Sequence, residues 1–104
     1  MIISGGENIA SSEVERVVYE LPQVQDAAVV GVPDEHWGER PVAVVVLKPN
    51  QALSLEELQE HSRRKLAGFK VPKGLIIRTE LPRNPSGKVL KRLLRQTIAG
   101  RDKG

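Results

Sequence analysis

Cysteine is absent from the 104 residues of this chain, which excludes disulfides, thiolate catalysis and cysteine-ligated metal. Aromatic side chains are scarce, with one each of Tyr19, Trp37 and Phe69. The core must therefore be built from Val, Leu, Ile and Ala. The two histidines, His36 and His61, lie too far apart in sequence to form a helical metal-binding pair, and we assign neither a role.

Long apolar runs are missing as well. No stretch approaches the roughly 20 apolar residues that a membrane-spanning helix needs. The first residues also lack the basic segment that opens a secretory signal. We therefore expect no membrane span and a cytoplasmic location. The length predicts a single domain, residues 1–104, with a core of modest size.

Charge is distributed unevenly along the chain. Residues 1–52 carry three basic and eight acidic side chains, a net charge of −5. Residues 53–104 carry thirteen basic and five acidic side chains, a net charge of +8, so the whole chain carries +3. We expect the second half to present a basic surface to an anionic partner, which could be nucleic acid, a phosphate-bearing small molecule or an acidic protein.

Apolar periodicity and turn signals predict the order helix, strand, strand, helix, strand, helix. Two capping boxes, at residues 12–15 and 54–57, predict where the first two helices begin. The remaining predicted elements are strands at residues 24–32, 41–47 and 74–81 and a last helix over about residues 88–98. This order predicts an α+β fold, a small sheet of about three strands packed with about three helices.

Lys88 follows a loop that ends in Pro85, Ser86 and Gly87, at the predicted mouth of the last helix. Free N–H groups at a helix N-terminus bind anions, and an ammonium beside them would complete a phosphate site. The alternative is a solvated lysine on a basic amphipathic helix. The spacing alone favours neither interpretation.

Residues 4–8, Ser-Gly-Gly-Glu-Asn, are predicted to form a loop. The adjacent glycines, Gly5 and Gly6, would let a slender ligand approach bare backbone. An N-terminal turn before the first helix is the simpler interpretation, and the residues alone favour it.

Trp37 and Phe69 fall in predicted loops, where a large aromatic ring has little core to enter. Arg40 is near the first ring in sequence, and Lys70 and Lys73 are near the second. Aromatic faces beside cations can stack a purine and hold its phosphates. The alternative is that both rings simply pack their loops against the core. No carboxylate pair, Ser–His–Asp arrangement or metal-ligand spacing accompanies them.

Four segments, in order along the chain, form a recognisable set. They are residues 1–15 (MIISGGENIASSEVE), 30–39 (VGVPDEHWGE), 66–73 (LAGFKVPK) and 81–92 (LPRNPSGKVLKR). Together they resemble the motifs of the small C-terminal domain of adenylate-forming enzymes, the superfamily of acyl-CoA synthetases, peptide-synthetase adenylation domains and beetle luciferases. The run Ser-Gly-Gly-Glu-Asn-Ile is most similar to that of fatty-acyl-CoA synthetases.

The resemblance implies an α+β domain of an AMP-forming acid–thiol ligase of fatty acid metabolism. Such an enzyme uses ATP to convert a carboxylate into an acyl-adenylate, and CoA then takes the acyl group. ATP and CoA are thus expected as substrates, with Mg in the full enzyme and no Mg ligand in this domain. The expected partner is the enzyme's large N-terminal domain, which carries the ATP loop and the acyl pocket, so the mobile C-terminal domain alone should be inactive.

The resemblance also implies roles for individual residues. Lys88 corresponds to the adenylation lysine of the family. The residues implied for CoA are Gly5 and Gly6 along the pantetheine channel, Trp37, Phe69 and Lys73 at the nucleotide end, and Glu7. Some relatives have Arg where this chain has Val71.

Two other interpretations stay open from the residues. The first is a nucleic-acid-binding module, suggested by the basic second half, although aromatic residues are few and no RNA or DNA motif occurs. The second is an interaction module recognised by a partner such as a lysine acetyltransferase. We expect no nucleic-acid partner, because the resemblance to the enzyme family extends, in order, over nearly the whole chain.

Overall fold

The computed structural model describes the backbone of residues 1–103 and the side chains of residues 1–98. Within these residues the chain forms three α-helices and five strands, which confirms the predicted α+β class. The elements in chain order are β1 (Ile2–Ser4), β2 (Glu7–Ile9), α1 (Ser11–Tyr19), β3 (Val24–Asp34), β4 (Gly38–Leu47), α2 (Leu55–Arg63), a 3₁₀ turn (Gly68–Lys70), β5 (Gly74–Arg78) and α3 (Lys91–Lys103).

Strand β4 lies at the centre of the sheet. β3 pairs with it antiparallel along one side, in regular register from Asp26 opposite Val46 to Asp34 opposite Gly38. On the other side β5 pairs with it in parallel, and β1 meets it at Gly38. β1 in turn pairs antiparallel with β2. Among the described strands, β1, β3 and β5 therefore pair directly with β4, and β2 is joined to it through β1.

Both faces of the β3–β4 hairpin are covered, which explains why the two strands are apolar almost throughout. Successive side chains on a strand point to opposite faces. On one face, Ala27, Val29, Ala43 and Val45 join a core with α1 and α2. On the other face, Ala28, Val30, Val42 and Val44 join a second core, closed by Leu94 and Ile98 of α3.

The sheet has two strands more than the sequence predicts. The predicted loop at residues 4–8 is the turn between β1 and β2, with φ of +59° at Gly5 and +81° at Gly6. Positive φ at both central residues is the geometry of a type I′ hairpin turn, which two adjacent glycines satisfy without strain. The predicted connector at residues 34–39 is also a hairpin turn, so β3 extends to Asp34 and β4 begins at Gly38.

The two predicted capping boxes have different outcomes. In α2 the box is confirmed, since the Glu57 N–H donates to Ser54 Oγ at 3.1 Å and the Ser54 N–H donates to Glu57 Oε1 at 3.2 Å. In α1 it is wrong: the N-cap is Ala10, two residues before the predicted Ser12, and it offers no side-chain hydrogen bond. The Glu15 carboxylate instead accepts the Val29 N–H of β3 at 2.9 Å.

The last helix also begins later than predicted, at Lys91 and not at Lys88. Residues 83–89 form a closed turn, in which Arg83 and Val89 make an antiparallel bridge. The Asn84 N–H donates to the Lys88 carbonyl at 2.9 Å, so this backbone cannot be helical. β5 ends at Arg78, where its pairing with Val46 ends, and not at residue 81.

We expect the 104-residue chain to unfold cooperatively on its own. Its stability should lie at the low end of about 5–15 kcal/mol, because a domain of this size has a small core. Leu58→Ala should lower the free energy of unfolding by about 2–5 kcal/mol, since Leu58 is fully buried. Denaturant titration followed by circular dichroism measures both quantities.

The matched control is Leu93→Ala on α3, where the side chain is 46% exposed. This substitution should change the free energy of unfolding by less than about 0.5 kcal/mol. Equal effects of the two substitutions, or a transition without cooperativity, would contradict the two-sided core described here.

Candidate functional site

Lys88 lies on the exposed surface, three residues before α3. Its side chain forms no ion pair within the part of the chain whose side chains are described. Its backbone is held tightly, because the Lys88 N–H donates to Asn84 Oδ1 at 3.0 Å. That N–H is therefore not free for an anion, and the predicted helix mouth around Lys88 is wrong. What remains is an accessible ammonium on a fixed turn.

Asn84 organises this turn from within. Its Oδ1 accepts the Ser86 hydroxyl at 2.7 Å as well as the Lys88 N–H. Its carbonyl accepts the Gly87 N–H at 2.9 Å. Gly87 has a φ of +89°, a left-handed conformation that glycine adopts at no steric cost. The segment Asn-Pro-Ser-Gly-Lys thus forms a compact loop that presents Lys88.

Asp26 of β3 anchors the same turn to the sheet. Its Oδ2 lies 2.6 Å from an Arg83 guanidinium nitrogen. Its Oδ1 accepts the Tyr19 hydroxyl at 2.6 Å, and that hydroxyl oxygen accepts the Ala27 N–H at 3.1 Å. Burial raises the pKa of the Asp26 carboxyl, but the hydrogen bonds from Arg83 and Tyr19 outweigh burial, and the pKa is lowered. The carboxylate is therefore ionised at neutral pH.

The surface around Lys88 forms an open groove of about 890 Å³, which we call the Lys88 groove. Its walls come from α1, β3, the turn before α3 and α3 itself. The charged side chains that line it are Glu15, Arg83, Lys88, Lys91 and Arg92. Lys91 is held by Glu15 at 2.8 Å, so Lys88 and Arg92 are the groove's cations without an ion-pair partner among the described side chains.

Trp37 lies in the turn between β3 and β4. The Asp34 Oδ1 accepts the N–H groups of His36 at 2.8 Å and Trp37 at 2.9 Å. The pKa of the Asp34 carboxyl is lowered, chiefly by the hydrogen bond from the Trp37 N–H. Burial acts in the opposite direction, but His36 and Arg40 lower the pKa further. The His36 ring meets the Trp37 ring edge-on, with centroids 4.6 Å apart. The turn thus fixes an indole ring that is 41% exposed.

The glycine turn of the β1–β2 hairpin packs directly on this ring. The Gly5 N–H donates to the Trp37 carbonyl at 2.7 Å. A Cβ added at Gly5 would lie 3.0 Å from Trp37 Cε3, whereas one added at Gly6 would meet nothing within 4 Å. Two features therefore favour glycine at position 5: its left-handed backbone conformation and the close packing of the Trp37 ring.

Residues from four parts of the chain meet at a second pocket, which we call the Trp37 pocket. It has a volume of about 290 Å³ and is lined by Ser4, Gly5, Glu7, Trp37, Gly68, Phe69 and Lys73. The Lys73 ammonium lies 4.7 Å from the centroid of the Trp37 ring, within the range of a cation–π contact. The pocket therefore combines bare backbone, two half-exposed rings and a positive charge.

Most residues that the sequence singles out for CoA lie around this one pocket: Gly5, Glu7, Trp37, Phe69 and Lys73. Gly6 completes the same turn but does not line the wall. Lys88 lines the Lys88 groove, and the two sites share no lining residue.

Sequence reasoning missed Asp26, Arg83, Tyr19 and the position of Glu15. Asp26 carries the one visible signal, an acidic residue near the start of a mostly apolar strand.

The basic second half is partly neutralised by the acidic first half. Ion pairs join the two halves at Lys70 and Glu13 (2.6 Å), Arg83 and Asp26 (2.6 Å), and Lys91 and Glu15 (2.8 Å). His61 also meets Glu20 at 3.0 Å. The charge asymmetry therefore serves the fold as well as the surface, which weakens the interpretation as a nucleic-acid-binding module.

Comparison with known proteins decides the family. Residues 13–88 match the family described as the AMP-binding enzyme C-terminal domain. The chain belongs to this family. The matched segment runs from Glu13 on α1 to Lys88, so it contains the Trp37 turn, the 3₁₀ turn with Phe69 and the exposed lysine.

Three relatives illustrate the likeness. The medium-chain fatty-acid–CoA ligase of Escherichia coli is 47% identical over 103 residues, covering 97% of this chain and 18% of that protein. The structure of a fatty acyl CoA synthetase of Mycobacterium tuberculosis has a TM-score of 0.89 and 42% identity, covering 97% of this chain and 20% of that one. The o-succinylbenzoate CoA synthetase of Bacillus subtilis, solved with an acyl-adenylate intermediate, has a TM-score of 0.85 and 41% identity, covering 90% and 19%.

The chain spans about a fifth of the length of the relatives it matches. No helix in the described part of the chain has the length and apolar character required to cross a membrane. The described residues also contain no cluster of three or more His, Cys, Asp or Glu side chains suited to a metal ion. The Mg expected for the full enzyme therefore has no candidate ligand set among them and stays a prediction.

The contact between Gly5 and Trp37 yields a matched pair of substitutions. Gly5→Ala and Gly6→Ala both force a left-handed conformation on a residue with a Cβ, which costs about 1–2 kcal/mol each. Only Gly5→Ala should also displace the Trp37 ring. Because Trp37 is the single tryptophan, its fluorescence emission reports on that displacement.

We expect the emission of Gly5→Ala to shift to longer wavelength and that of Gly6→Ala to match the unchanged chain. Identical spectra for the two variants would show that the ring does not depend on the glycine turn.

Proposed function

We propose that this chain is the C-terminal domain of an AMP-forming acyl-CoA synthetase. In the first half-reaction a carboxylate oxygen attacks the α-phosphorus of ATP, which forms an acyl-adenylate and releases pyrophosphate. In the second half-reaction the CoA thiol attacks the acyl carbon, and AMP leaves. The names of the relatives support this reaction class, because they describe CoA ligases and CoA synthetases.

The observation that carries the proposal is the separation of the two sites. The Lys88 groove and the Trp37 pocket have no lining residue in common. A domain that presents one surface for adenylation and another for thioester formation requires this arrangement. As the family resemblance implies, the domain rotates against a large N-terminal domain of the same enzyme between the two steps and has no activity alone.

Lys88 serves the adenylation step. Two anions, the carboxylate and the ATP phosphate, must approach each other, and a positive charge between them lowers the barrier. The Lys88 ammonium suits this role because it is exposed and has no ion-pair partner among the described side chains. An ammonium engaged by a carboxylate, as in Lys91, would first have to break that pair.

The Trp37 pocket serves the CoA end of the second step. Bare backbone at Gly5 suits the slender pantetheine arm, with Gly6 and Glu7 beside it. Trp37 and Phe69 offer faces for the adenine, and Lys73 offers charge to the phosphates. Arg40 and Lys70, the other cations near these rings in sequence, are engaged by Asp34 and Glu13. The acyl pocket is expected on the large N-terminal domain, and the fatty acid substrate stays a prediction, as does the cytoplasmic location.

In the full-length ligase, Lys88→Ala should slow adenylate formation by about a hundredfold to a thousandfold, the cost of removing one charge-stabilising group. Thioester formation from supplied acyl-adenylate should stay within about twofold. Pyrophosphate exchange and CoA consumption measure the two half-reactions. Lys65→Ala is the control, because Lys65 is exposed and lies outside both sites. Equal loss of both half-reactions in Lys88→Ala would refute a role confined to adenylation.

The isolated chain should bind CoA weakly. Stacking of one adenine contributes about 1–3 kcal/mol, and salt screens exposed phosphate contacts. A millimolar dissociation constant already corresponds to about 4 kcal/mol, so the affinity should be millimolar at best. We expect NMR shifts confined to residues 5–7, 37 and 69–73, weakened by salt and by Lys73→Ala. Shifts elsewhere, or tight binding of a mixed oligonucleotide, would refute the CoA site.

A further inference from the structure

The position of Lys88 is set by its backbone. Within the described part of the chain, its side chain has no hydrogen bond or ion pair that could orient it. Asn84 holds the turn of residues 84–88 closed. Bonds inside a turn fix its shape, but they do not fix where the turn sits on the domain. A contact between the turn and the sheet must do that.

Arg83 provides such a contact. One guanidinium nitrogen donates to the Gly87 carbonyl, the residue directly before Lys88, at 2.6 Å. The other terminal nitrogen donates to Asp26 Oδ2, also at 2.6 Å, across a separation of 57 residues. A single rigid guanidinium therefore links the Lys88 turn to strand β3.

Asp26 is itself fixed at the other end of this link. Its second oxygen accepts the Tyr19 hydroxyl of α1 and the N–H of Ala27. The chain of contacts thus runs from α1 and β3, through Asp26 and Arg83, to the peptide bond that carries Lys88. None of these groups needs to touch a substrate.

The exposure of the pair separates positioning from stability. The Arg83 side chain is 41% exposed and that of Asp26 is 23% exposed. Ion pairs exposed to solvent contribute little to stability. A guanidinium that donates to two different acceptors in a fixed fork still determines direction, which the single ammonium of a lysine does not. The pair between Arg83 and Asp26 therefore contributes more to the position of the Lys88 turn than to the stability of the domain.

We propose that Arg83 is a positioning residue for adenylation, which holds the Lys88 turn against Asp26 so that the ammonium meets the reacting phosphate. This inference rests on the function proposed above for Lys88. Displacement of a reacting group by about 1 Å can cost about a hundredfold in rate. Loss of Arg83 therefore acts on the rate of the first half-reaction and spares the binding of substrates.

The test uses the full-length ligase that carries this chain and measures both half-reactions. Arg83→Met should lower kcat for adenylate formation by about tenfold to a hundredfold. KM for ATP and for the carboxylate, and the rate of thioester formation, should stay within about twofold. Arg83→Lys should give an intermediate kcat, because the lysine ammonium can form only one of the two hydrogen bonds that Arg83 donates to Gly87 and Asp26.

Asp26→Asn tests the other end of the link. It should lower the same kcat, and the double variant Asp26→Asn with Arg83→Met should be no slower than Arg83→Met alone. Substitutions that break one shared link are not additive. Arg64→Met is the matched control, since Arg64 makes an exposed pair with Glu60 at 3.0 Å on α2 and should leave kcat unchanged.

An unchanged kcat in both Arg83 variants would overturn the proposal, as would equal losses in the two half-reactions with a lowered melting temperature. Should Arg83→Met fail to fold, Arg83→Lys and Asp26→Asn still decide, because a wild-type kcat in both refutes the link. Lys88→Ala separates the two proposals. If Lys88→Ala forms the adenylate at the normal rate, the function proposed for Lys88 is refuted. If Lys88→Ala is slow but the Arg83 variants form the adenylate at the normal rate, only the positioning role of Arg83 is refuted.

Discussion

The antiparallel pairing of β3 with β4 determines the rest of the domain. Because the two strands are buried on both faces, their alternating side chains supply both hydrophobic cores. Both candidate sites depend on the same hairpin. Asp26, near its open end, anchors the Lys88 turn, and Asp34, at its closed end, builds the turn that holds Trp37. These two acids are eight residues apart on one strand, a separation of roughly 26 Å.

The sequence predicts the elements that local chemistry decides. The capping box at Ser54 and Glu57 forms because both partners lie within one helical turn, and Gln23 engages only the other carboxylate oxygen of Glu57. The same pattern at Ser12 and Glu15 does not form a box, since Glu15 has better partners in Val29 and Lys91. Those partners come from β3 and α3, and no local pattern in the sequence reveals them.

The site residues divide in the same way. Motif resemblance suffices to select Lys88 and five of the residues that line the Trp37 pocket, because their spacing along the chain is characteristic of the family. The link from Arg83 to Asp26 crosses 57 residues, and no local pattern in the sequence pairs the two residues. The predicted start of α3 is wrong for a related reason. The Asn84 side chain accepts the Lys88 N–H and holds it in a turn, an interaction that helix propensity does not include.

The outer edge of β3 has a consequence for how the domain behaves in a crowded solution. A free strand edge offers a row of N–H groups on which another chain can add a strand. Here the Ala27 N–H is taken by the Tyr19 hydroxyl and the Val29 N–H by the Glu15 carboxylate. Pro33, at the same alternate positions of the strand, has no N–H to offer. Side chains of helix α1 therefore protect the Ala27–Val29 part of this edge against templated β-aggregation, and the same side chains border the Lys88 groove.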